Sequence, residues 1–285
     1  MRGTVPDVET RELRYFVAVA EELHFGRAAE RLGMSQPPLS RAVQQLERRL
    51  GVALLDRSGR GVTLTAPGSV LLQEARAALT AVEAAERRTV RAAARGGRSR
   101  VVLATKAGAS GELLAKLLDA YAAEPGAVEV DVVLCPVGEQ ERMLRDGRAD
   151  VALLHRPFDD VAGFDHEDLG QEAQVLVVPS SHAVARQPSV TLADLADLPL
   201  PRWPRLDGTY PDGSGLRVHD LTQLLQLVSL SRACAVLPAS VVAHLRDDLT
   251  AVPVLDAPLV TTVIAWPPHS RSRPVADLVR TATRL

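Results

Sequence analysis

Apolar residues in the first fifty positions recur every three or four residues, which is the spacing of amphipathic helices. The first stripe runs from Leu13 to Ala20 and closes near Leu23. A short second helix is predicted over residues 26–32, and Gly33 after it supplies the permissive backbone that a tight interhelical turn needs. The N-terminal part is therefore predicted to be a pair of helices joined to a third by a sharp turn.

The third predicted helix has two chemically different faces. Ser35 is the expected N-cap, and Pro37 or Pro38 falls in the first turn, where a missing N–H costs nothing. An apolar stripe follows from Leu39 to Leu50. The opposite face carries side chains that can bond base edges or phosphate, namely Ser40, Arg41, Gln44, Gln45, Arg48 and Arg49. An ordinary helix with a solvated polar face has the same pattern, so this face alone does not indicate a function.

Two short strands are predicted after this helix, at residues 52–56 and 62–65. The segment between them is a glycine-rich tip that contains Arg57 and Arg60. Short helix, glycine turn, polar helix and basic hairpin, in this order, are typical of a winged helix-turn-helix. The combination is far more specific than any one of its parts.

Residues 69–94 contain neither Gly nor Pro, which predicts a helix roughly 40 Å long at ~1.5 Å per residue. Leu72, Ala75, Leu79 and Val82 begin a heptad seam whose far end is polar. A helix of this length is not stable alone in water, so the seam has to meet a partner. Packing against its own domain is one alternative. Self-pairing is favoured, because a DNA-reading dimer must hold two recognition helices about one duplex turn apart.

From residue 101 onward, apolar runs of strand length alternate with helical patterns. The expected strands are at 101–104, 128–134, 151–154, 174–178, 235–237, 251–254 and 260–266. The expected helices are at 112–122, 139–146, 222–231 and 275–283. Repeated βαβ order predicts a parallel sheet with both faces covered, and the later elements predict a second α/β lobe. Residues 96–99 are expected to form a hinge before the first of these strands.

Ligands in open α/β sheets lie beyond the carboxyl ends of strands and near helix N-termini. That rule selects Thr105, Lys106, Ala107, Gly108, Ser110, Pro136, His155, Arg156, Arg202, Trp203, Thr222 and Gln223. Lys106 is one of only two lysines, although a solvated loop lysine is an equal alternative. Trp203 suits either a ligand wall or a hydrophobic plug. Lys106, Arg156 and Arg202 together would make a basic pocket, which favours an anionic effector.

The charge is divided unevenly along the chain. The first 100 residues carry 17 Arg and no Lys against 11 acidic residues, whereas the remainder carries 16 basic residues against 24 acidic ones. A basic first third joined to an acidic remainder suggests a module for a polyanion attached to a part that does not bind one. Chance clustering gives the same numbers, so the count only supports DNA binding.

Several classes of protein are disfavoured by what is missing. The apolar stretches are too short for a membrane span, and no signal peptide is recognisable, so a cytoplasmic location is expected. Cys135 and Cys234 are expected to be buried inert thiols rather than a redox pair. No nucleotide-binding or hydrolase motif is present, and His155 with Asp159 and Asp160 suits a strand-capping loop better than a metal or catalytic cluster. We therefore predict no cofactor, no metal site and no enzymatic activity.

Several sequence segments resemble the helix-turn-helix of LysR-type transcriptional regulators. They are LRYF (13–16), HFGRAA (24–29), SQPPLSR (35–41), QLE (45–47), LG (50–51), LLDR (54–57) and LTAPG (64–68). The match runs nearly unbroken from Glu12 to Leu79. The order of the C-terminal elements agrees with that family as well, so the resemblance covers essentially the whole chain.

The resemblance implies an N-terminal all-α winged helix-turn-helix with a long linker helix, followed by a C-terminal α/β two-lobed domain like the periplasmic binding proteins. The expected domain boundaries are 1–67, 68–98 and 99–285, with lobe I at about 99–170 and 265–285 and lobe II at about 171–264. The implied partners are double-stranded DNA, a small-molecule effector between the lobes, and a second copy in a homodimer or homotetramer.

The resemblance also places residues on DNA. Gln36, Pro37, Ser40 and Arg41 would lie at the major groove and its flanking phosphates. Arg57 and Arg60 would lie on the backbone or in the minor groove. The full set of expected DNA contacts is Arg27, Ser35, Gln36, Pro37, Pro38, Ser40, Arg41, Gln44, Gln45, Arg57 and Arg60.

Two other classes of function remain open at this point. A solute-binding or enzymatic α/β protein with an incidental helical N-terminus would show no steep salt dependence of DNA affinity. A constitutive architectural DNA-binding protein would leave about 185 residues without a role.

Overall fold

The computed structural model describes residues 8–57, 61–94, 100–205, 209–268 and 270–285. The expected hinge and the tip residue Arg60 lie outside these ranges. None of the helices in the described ranges combines the length and apolarity that crossing a bilayer requires.

The chain forms two compact units, residues 1–86 and 87–285. The first unit contains α1 (Thr10–Glu22), α2 (Phe25–Arg31), α3 (Gln36–Leu50), β1 (Leu55–Asp56), β2 (Thr63–Leu64) and most of α4 (Ala66–Ala94). The boundary between the units falls within α4, whereas the expected boundaries at 67 and 98 lie near the two ends of that helix.

Local hydrogen bonds set the helix-turn-helix. The His24 ring caps α2, because its Nδ1 accepts from the backbone N–H groups of Gly26 and Arg27 at 3.1 and 3.2 Å. Gly33 makes the turn to α3 with a φ of 65°. Ser35 is the N-cap of α3 as predicted, although its side chain makes no capping hydrogen bond. The order of these elements is therefore the one that the sequence predicts.

The wing is tied to α3 by a carboxylate. Glu47 Oε1 accepts from the backbone N–H groups of Leu54 and Leu55 at 2.9 and 3.1 Å. Thr65 Oγ1 donates to the Ala53 carbonyl at 2.7 Å on the other side of the hairpin. Each wing strand has two residues rather than the four or five expected. The core beneath consists of fully buried side chains from all three helices and the wing, including Phe16, Leu39, Leu46 and Leu54.

The second unit begins with a five-stranded sheet. Its strands are β3 (Arg100–Lys106), β4 (Glu129–Cys135), β5 (Val151–Arg156), β6 (Asp165–Glu172) and β10 (Val260–Trp266). Its helices are α5 (Gly111–Ala122), α6 (Glu139–Arg145) and α8 (Arg273–Ala282), and we call this assembly the first lobe. The strand order is β4-β3-β5-β10-β6.

The parallel arrangement predicted from the strands at 101–104, 128–134 and 151–154 is confirmed, and two further strands extend the same sheet with antiparallel pairs. β3, β4 and β5 are parallel, but β10 runs antiparallel to both β5 and β6. β6 was not predicted, because its sequence DHEDLGQE lacks the apolar alternation of a strand. This strand lies at the sheet edge and pairs with β10 through its backbone. All of β10 belongs to this lobe, so the chain returns at Val260 rather than at residue 265.

The second lobe is built on a three-stranded sheet. Its elements are β7 (Gln174–Pro179), α7 (Leu221–Ser229), β8 (Ala235–Pro238) and β9 (Leu249–Val254), in the sheet order β8-β7-β9 with antiparallel pairs. Short 3₁₀ helices lie at Ala183–Arg186, Leu192–Leu195 and Ala239–His244. Outside these elements, Arg202 makes an isolated bridge with Arg217.

Gly68 gives a direct test of the packing of α4 on the wing. A Cβ at this position would stand 2.0 Å from the Leu54 carbonyl oxygen. We expect Gly68→Ala to lower the free energy of unfolding by about 1–3 kcal/mol, as overpacking does, although alanine is the better helix former. Chemical unfolding in urea measures this loss.

The control is Gly61→Ala, where an added Cβ meets nothing within 4 Å. It is expected to unfold within about 0.5 kcal/mol of the original chain, as surface substitutions usually do. Equal stability of the two variants would contradict the close approach of α4 to Leu54.

Candidate DNA-reading surface and ligand cleft

One face of α3 is open to solvent. Pro37, Arg41, Gln44 and Arg48 are exposed at helical spacing, opposite the buried stripe that includes Leu39. Of the other predicted residues, Ser35, Gln36 and Gln45 are exposed, whereas Pro38 and Ser40 are half-buried. This face therefore offers amide and guanidinium groups, which suit base edges and phosphates.

The arginines near this face differ in what already binds them. Arg27 Nε lies 3.3 Å from Glu22 Oε2. Arg57 pairs with Glu47 at 3.2 Å and stacks on the Phe25 ring at 4.8 Å. Within the described residues, by contrast, Arg41 and Arg48 form no hydrogen bond or ion pair. Their charges are fully available to an anion.

Arg49 points away from this set, because its guanidinium forms hydrogen bonds of 2.9 and 2.7 Å with the Glu12 carboxylate. Sequence reasoning grouped it with the polar face of α3. The partner Glu12 is almost buried on α1, so Arg49 joins two helices. Its spacing alone could not reveal this, since the partner is 37 residues away.

The predicted seam of α4 divides between two environments. Leu72 packs against the core of its own unit, and Ala75 is buried, so at Leu72 the own-domain alternative describes the contact. Leu79 and Val82 are only half-buried, and Val90 is 68% exposed. The apolar surface beyond the first turns of α4 is therefore incompletely covered.

A cavity of about 490 Å³ lies between the two lobes of the second unit. The first lobe contributes Val137, Gly138, Glu141, Phe158 and Asp159, and the second contributes Pro204 and Arg205. This volume suits a small organic ligand. Loops after β4 and β5 supply most of the wall, as the rule for α/β sheets predicts.

A buried ion pair lies at the base of the wall. Lys106 Nζ is 2.7 Å from Asp159 Oδ2, and the His155 backbone N–H donates to the same oxygen at 2.7 Å. Ser110 Oγ contacts His155 Nε2 at 2.7 Å. Burial by itself raises the pKa of Asp159, but the nearby His155 ring and the Lys106 ammonium together lower it by more. The pKa of Asp159 is therefore below its usual value. Lys106 is therefore not a solvated loop lysine, and its charge is offset within the protein.

Glu141 is a second buried carboxyl group. Only 2% of the residue is exposed, yet it lines the cavity. Its Oε1 accepts from the Asp160 backbone N–H at 2.8 Å, whereas Oε2 has no hydrogen-bond partner among the described residues. Burial raises the pKa of Glu141 to about 7, with a further upward contribution from Asp159.

The predicted basic pocket is not formed. Arg156 binds Asp168 at 2.5 and 2.6 Å across the sheet. Arg202 donates through Nε and Nη1 to the carbonyls of Gly215 and Pro211, at 2.7 and 3.0 Å. With Lys106 paired to Asp159, each of the three cations already has a partner, and none of them lines the cavity.

The remaining predicted ligand residues have varied surroundings. Trp203 packs against the core of the second lobe, which matches the hydrophobic-plug alternative. Thr105 is buried, and its Oγ1 has no hydrogen-bond partner in the described part of the chain, whereas Ala107, Gly108, Pro136, Thr222 and Gln223 are exposed. Gly108 brings the loop after β3 close to α7, because a Cβ there would lie 2.8 Å from Leu221 Cδ2. The loop after β3 therefore lies against the first turn of α7.

None of the seven residues that line the cavity belongs to the set that the sequence selected; the residues missed are Val137, Gly138, Glu141, Phe158, Asp159, Pro204 and Arg205. Glu141 looks like an ordinary acidic residue in the first turn of a helix, and only the tertiary fold turns it inward. Asp159 does follow a strand end, which is the signal that selected His155 and Arg156. The choice among neighbours in that loop depends on which side chains face the second lobe.

The two cysteines and the possible metal ligands were also compared with the sequence expectations. Cys135 and Cys234 are buried free thiols, as predicted. Burial raises the pKa of Cys135 to about 11 and also raises that of Cys234, so both thiols stay protonated near neutrality. Throughout the described ranges, no group of three or more His, Cys, Asp or Glu side chains is arranged to hold a metal ion.

Both units resemble known proteins. Residues 10–69 match the family described as bacterial regulatory helix-turn-helix protein, lysR family, and residues 94–284 match the LysR substrate binding domain. The uncharacterized HTH-type transcriptional regulator YnfL of Escherichia coli (strain K12) is 33% identical over 286 residues, covering 95% of this chain and 96% of YnfL.

Solved structures agree over nearly the whole length. The crystal structure of CbnR, a LysR family transcriptional regulator, is 29% identical with a TM-score of 0.58, and the match covers 97% of this chain and 99% of CbnR. Full-length CbnR complexed with its target DNA is 30% identical with a TM-score of 0.52, at the same coverage.

The approach of Gly108 to α7 can be tested by a matched pair of glycines. Gly108 and Gly163 have φ angles of 81° and 80°, but only at Gly108 would a Cβ meet another residue. We expect Gly108→Ala to lower the free energy of unfolding more than Gly163→Ala does, because it adds a clash to the same backbone strain. Urea unfolding of each variant measures the difference.

The clash involves the Leu221 side chain, so Leu221→Ala should compensate for it. On the Gly108→Ala background this second change is expected to cost less than it does alone, with a coupling of about 0.5–3 kcal/mol. Additive losses, or equal losses for the two glycine variants, would contradict the contact between the lobes.

Proposed function

We propose that this chain, which belongs to the LysR family of bacterial helix-turn-helix transcriptional regulators, reads DNA with the exposed face of α3 and responds to a small molecule bound between its two lobes. The observation that carries the proposal is a helix-turn-helix in which Arg41 and Arg48 of α3 have no partner among the described residues, in one chain with a two-lobed unit that holds a cavity. The alternative of an incidental helical N-terminus is wrong, because residues 10–69 match the regulatory family itself.

The proposed DNA contacts follow from the exposed face of α3. Gln36, Pro37, Ser40 and Arg41 are assigned to the major groove and its flanking phosphates, because the second helix of the motif is the one that enters the groove. The other contacts come from α2, from the rest of α3 with its N-cap, and from the wing, namely Arg27, Ser35, Pro38, Gln44, Gln45, Arg57 and Arg60. The unpaired state of Arg41 supports its place in this set, and the same observation adds Arg48.

Control by a ligand follows from the two-lobed unit. A small molecule between the lobes binds best to one relative arrangement of them, and therefore shifts the population toward it. The linker helix α4 would pass this change to the DNA-reading units of a homodimer or homotetramer, altering half-site spacing or DNA bend. The relatives are transcriptional regulators, and we propose that this chain likewise acts without catalysis and, as a DNA-binding protein, in the cytoplasm.

Arg41→Ala tests the reading surface. The change should weaken binding to a duplex from the region upstream of the gene by about 1–3 kcal/mol if Arg41 reads a base. If it binds phosphate, the slope of log affinity against log salt should fall by about 1. A titration at several salt concentrations, followed by fluorescence anisotropy, measures both quantities.

Arg273→Ala is the matched control, because Arg273 is 93% exposed in its side chain and lies on α8 of the second unit. It is expected to leave the affinity and the salt slope unchanged. An Arg41→Ala protein that binds as tightly as the original chain would refute the role of Arg41.

Leu79→Arg tests self-pairing through α4. Leu79 belongs to the predicted seam with Leu72, Ala75 and Val82, and a charge there should be costly in a paired apolar seam. We expect the variant to dissociate at concentrations where the original chain is associated, as measured by sedimentation velocity. Ala77→Arg is the control, since Ala77 is exposed on the opposite side of the helix by its 3.6-residue period. The same loss of association in both variants, or in neither, would contradict pairing through this seam.

A further inference from the structure

Glu141 lines the inter-lobe cavity and has one carboxylate oxygen without a hydrogen-bond partner among the described residues. Its side chain lines the cavity although only 2% of the residue is exposed. Oε1 is bound by the Asp160 N–H at 2.8 Å, and Oε2 has no partner within the described part of the chain. Buried polar atoms are nearly always hydrogen-bonded, because an unpaired one costs free energy. A ligand that donates a hydrogen bond from the cavity would remove this cost.

The charges around the cavity favour a cationic donor. Asp159 also lines the cavity, and its partner Lys106 is consumed by their 2.7 Å ion pair. Arg145 on α6 lies 3.7 Å from Asp160 and stacks on the Phe164 ring at 4.8 Å. Among the described residues, the lining therefore contains two carboxyl groups and one cation, the exposed Arg205 of the second lobe.

The apolar part of the wall fits the same kind of ligand. Val137, Phe158 and Pro204 line the cavity beside the carboxyl groups. Phe158 is 57% exposed, so its ring is accessible to a molecule in the cavity. An aromatic face next to a carboxylate attracts an ammonium group through the ring quadrupole.

We propose that the inter-lobe cavity binds a small molecule carrying a protonated amine, whose N–H donates to Glu141 Oε2 while its apolar body packs against Phe158. The proposal rests on the proposed function, since it specifies the chemical class of the effector in that cleft. It replaces the anionic effector favoured by the basic residues of the sequence, because those residues are paired elsewhere.

Binding of an amine through Glu141 should depend on pH. The groups that face Glu141 are Asp159 and Asp160 from the loop after β5, Arg145 on its own helix and Arg205 from the second lobe. Because burial raises the pKa of Glu141 to about 7, the carboxylate that binds an ammonium is mostly present at pH 8 and mostly protonated at pH 6. An alkylamine keeps its proton over this range, as a lysine side chain does. Affinity should therefore fall about tenfold between pH 8 and pH 6.

Isothermal titration of the full chain with three probes of matched shape tests the proposal. The probes are phenethylamine, 3-phenylpropionate and 2-phenylethanol, which share a phenylethyl body and differ in the terminal group. We expect phenethylamine to bind most tightly at pH 8 and about tenfold more weakly at pH 6. Tighter binding of 3-phenylpropionate, or no binding of the amine, would overturn the proposal.

Two variants on the same helix identify the group responsible. Glu141→Gln should weaken phenethylamine at least tenfold at pH 8 and abolish the pH dependence, because an amide carries no charge. Glu139→Gln is the control, since that carboxylate pairs with Arg142 and Arg148 at 3.5 and 3.2 Å and does not line the cavity. It should keep both the affinity and the pH dependence. Phe158→Leu gives an independent reading, and we expect it to weaken the amine more than the alcohol. An unchanged affinity in Glu141→Gln overturns the proposal.

Titration of the upstream duplex with the same unmodified protein separates this inference from the proposed function. DNA binding that remains sensitive to salt and to Arg41→Ala, together with a failure of the amine to bind, refutes only the choice of ligand. If the unmodified chain shows no specific binding to the duplex, the proposed function itself is refuted, whether or not the amine binds.

Discussion

The ion pair between Lys106 and Asp159 determines the chemistry of the ligand cleft. Both groups are buried and lie 2.7 Å apart, so removing either partner would leave an uncompensated buried charge at a cost of about 3–5 kcal/mol. The same Asp159 oxygen accepts the His155 N–H, which anchors the loop after β5. That loop carries Phe158 into the cavity wall. With Lys106 paired to Asp159, the other ionisable residues that line the cavity are Arg205 and Glu141, whose Oε2 is unsatisfied within the described residues.

The DNA-reading unit uses its carboxylates in a similar way. Glu12 binds Arg49, and Glu47 binds both Arg57 and the first backbone N–H groups of the wing. These contacts hold α1, α3 and the hairpin together with charges that would otherwise face solvent. Arg41 is exposed and has no such partner among the described residues. Internal pairing therefore distinguishes the arginines whose charge a carboxylate already offsets from Arg41, whose charge has no such partner among the described residues.

Much of the architecture could be predicted, because the spacing of apolar residues within short segments indicates where helices and strands form. The apolar stripe from Leu39 to Leu50 predicts α3, and Gly33 predicts the turn before that helix. The strand at 260–266 was predicted to the residue, since both of its faces are buried and its sequence is continuously apolar. β6 was missed for the opposite reason: it is an exposed edge strand whose stability comes from backbone pairing with β10, which leaves no apolar pattern in DHEDLGQE. The antiparallel direction of β10 depends on a chain return from the second lobe, and no local signal records that.

The amino-acid sequence by itself determined that this is a winged helix-turn-helix joined to a two-lobed α/β sensor, because helix periods, turn glycines and family motifs are properties of short segments. Only the tertiary structure decided which charged side chains are paired within the protein and which can still interact with a ligand. Lys106, Arg156 and Arg202 suggested a basic pocket as long as they were considered singly. The fold pairs the first two with Asp159 and Asp168 and ties the third to backbone carbonyls. The physical reason is that the net charge of a site is set by partners distant in the chain, and a buried cation is stable only when such a partner lies beside it.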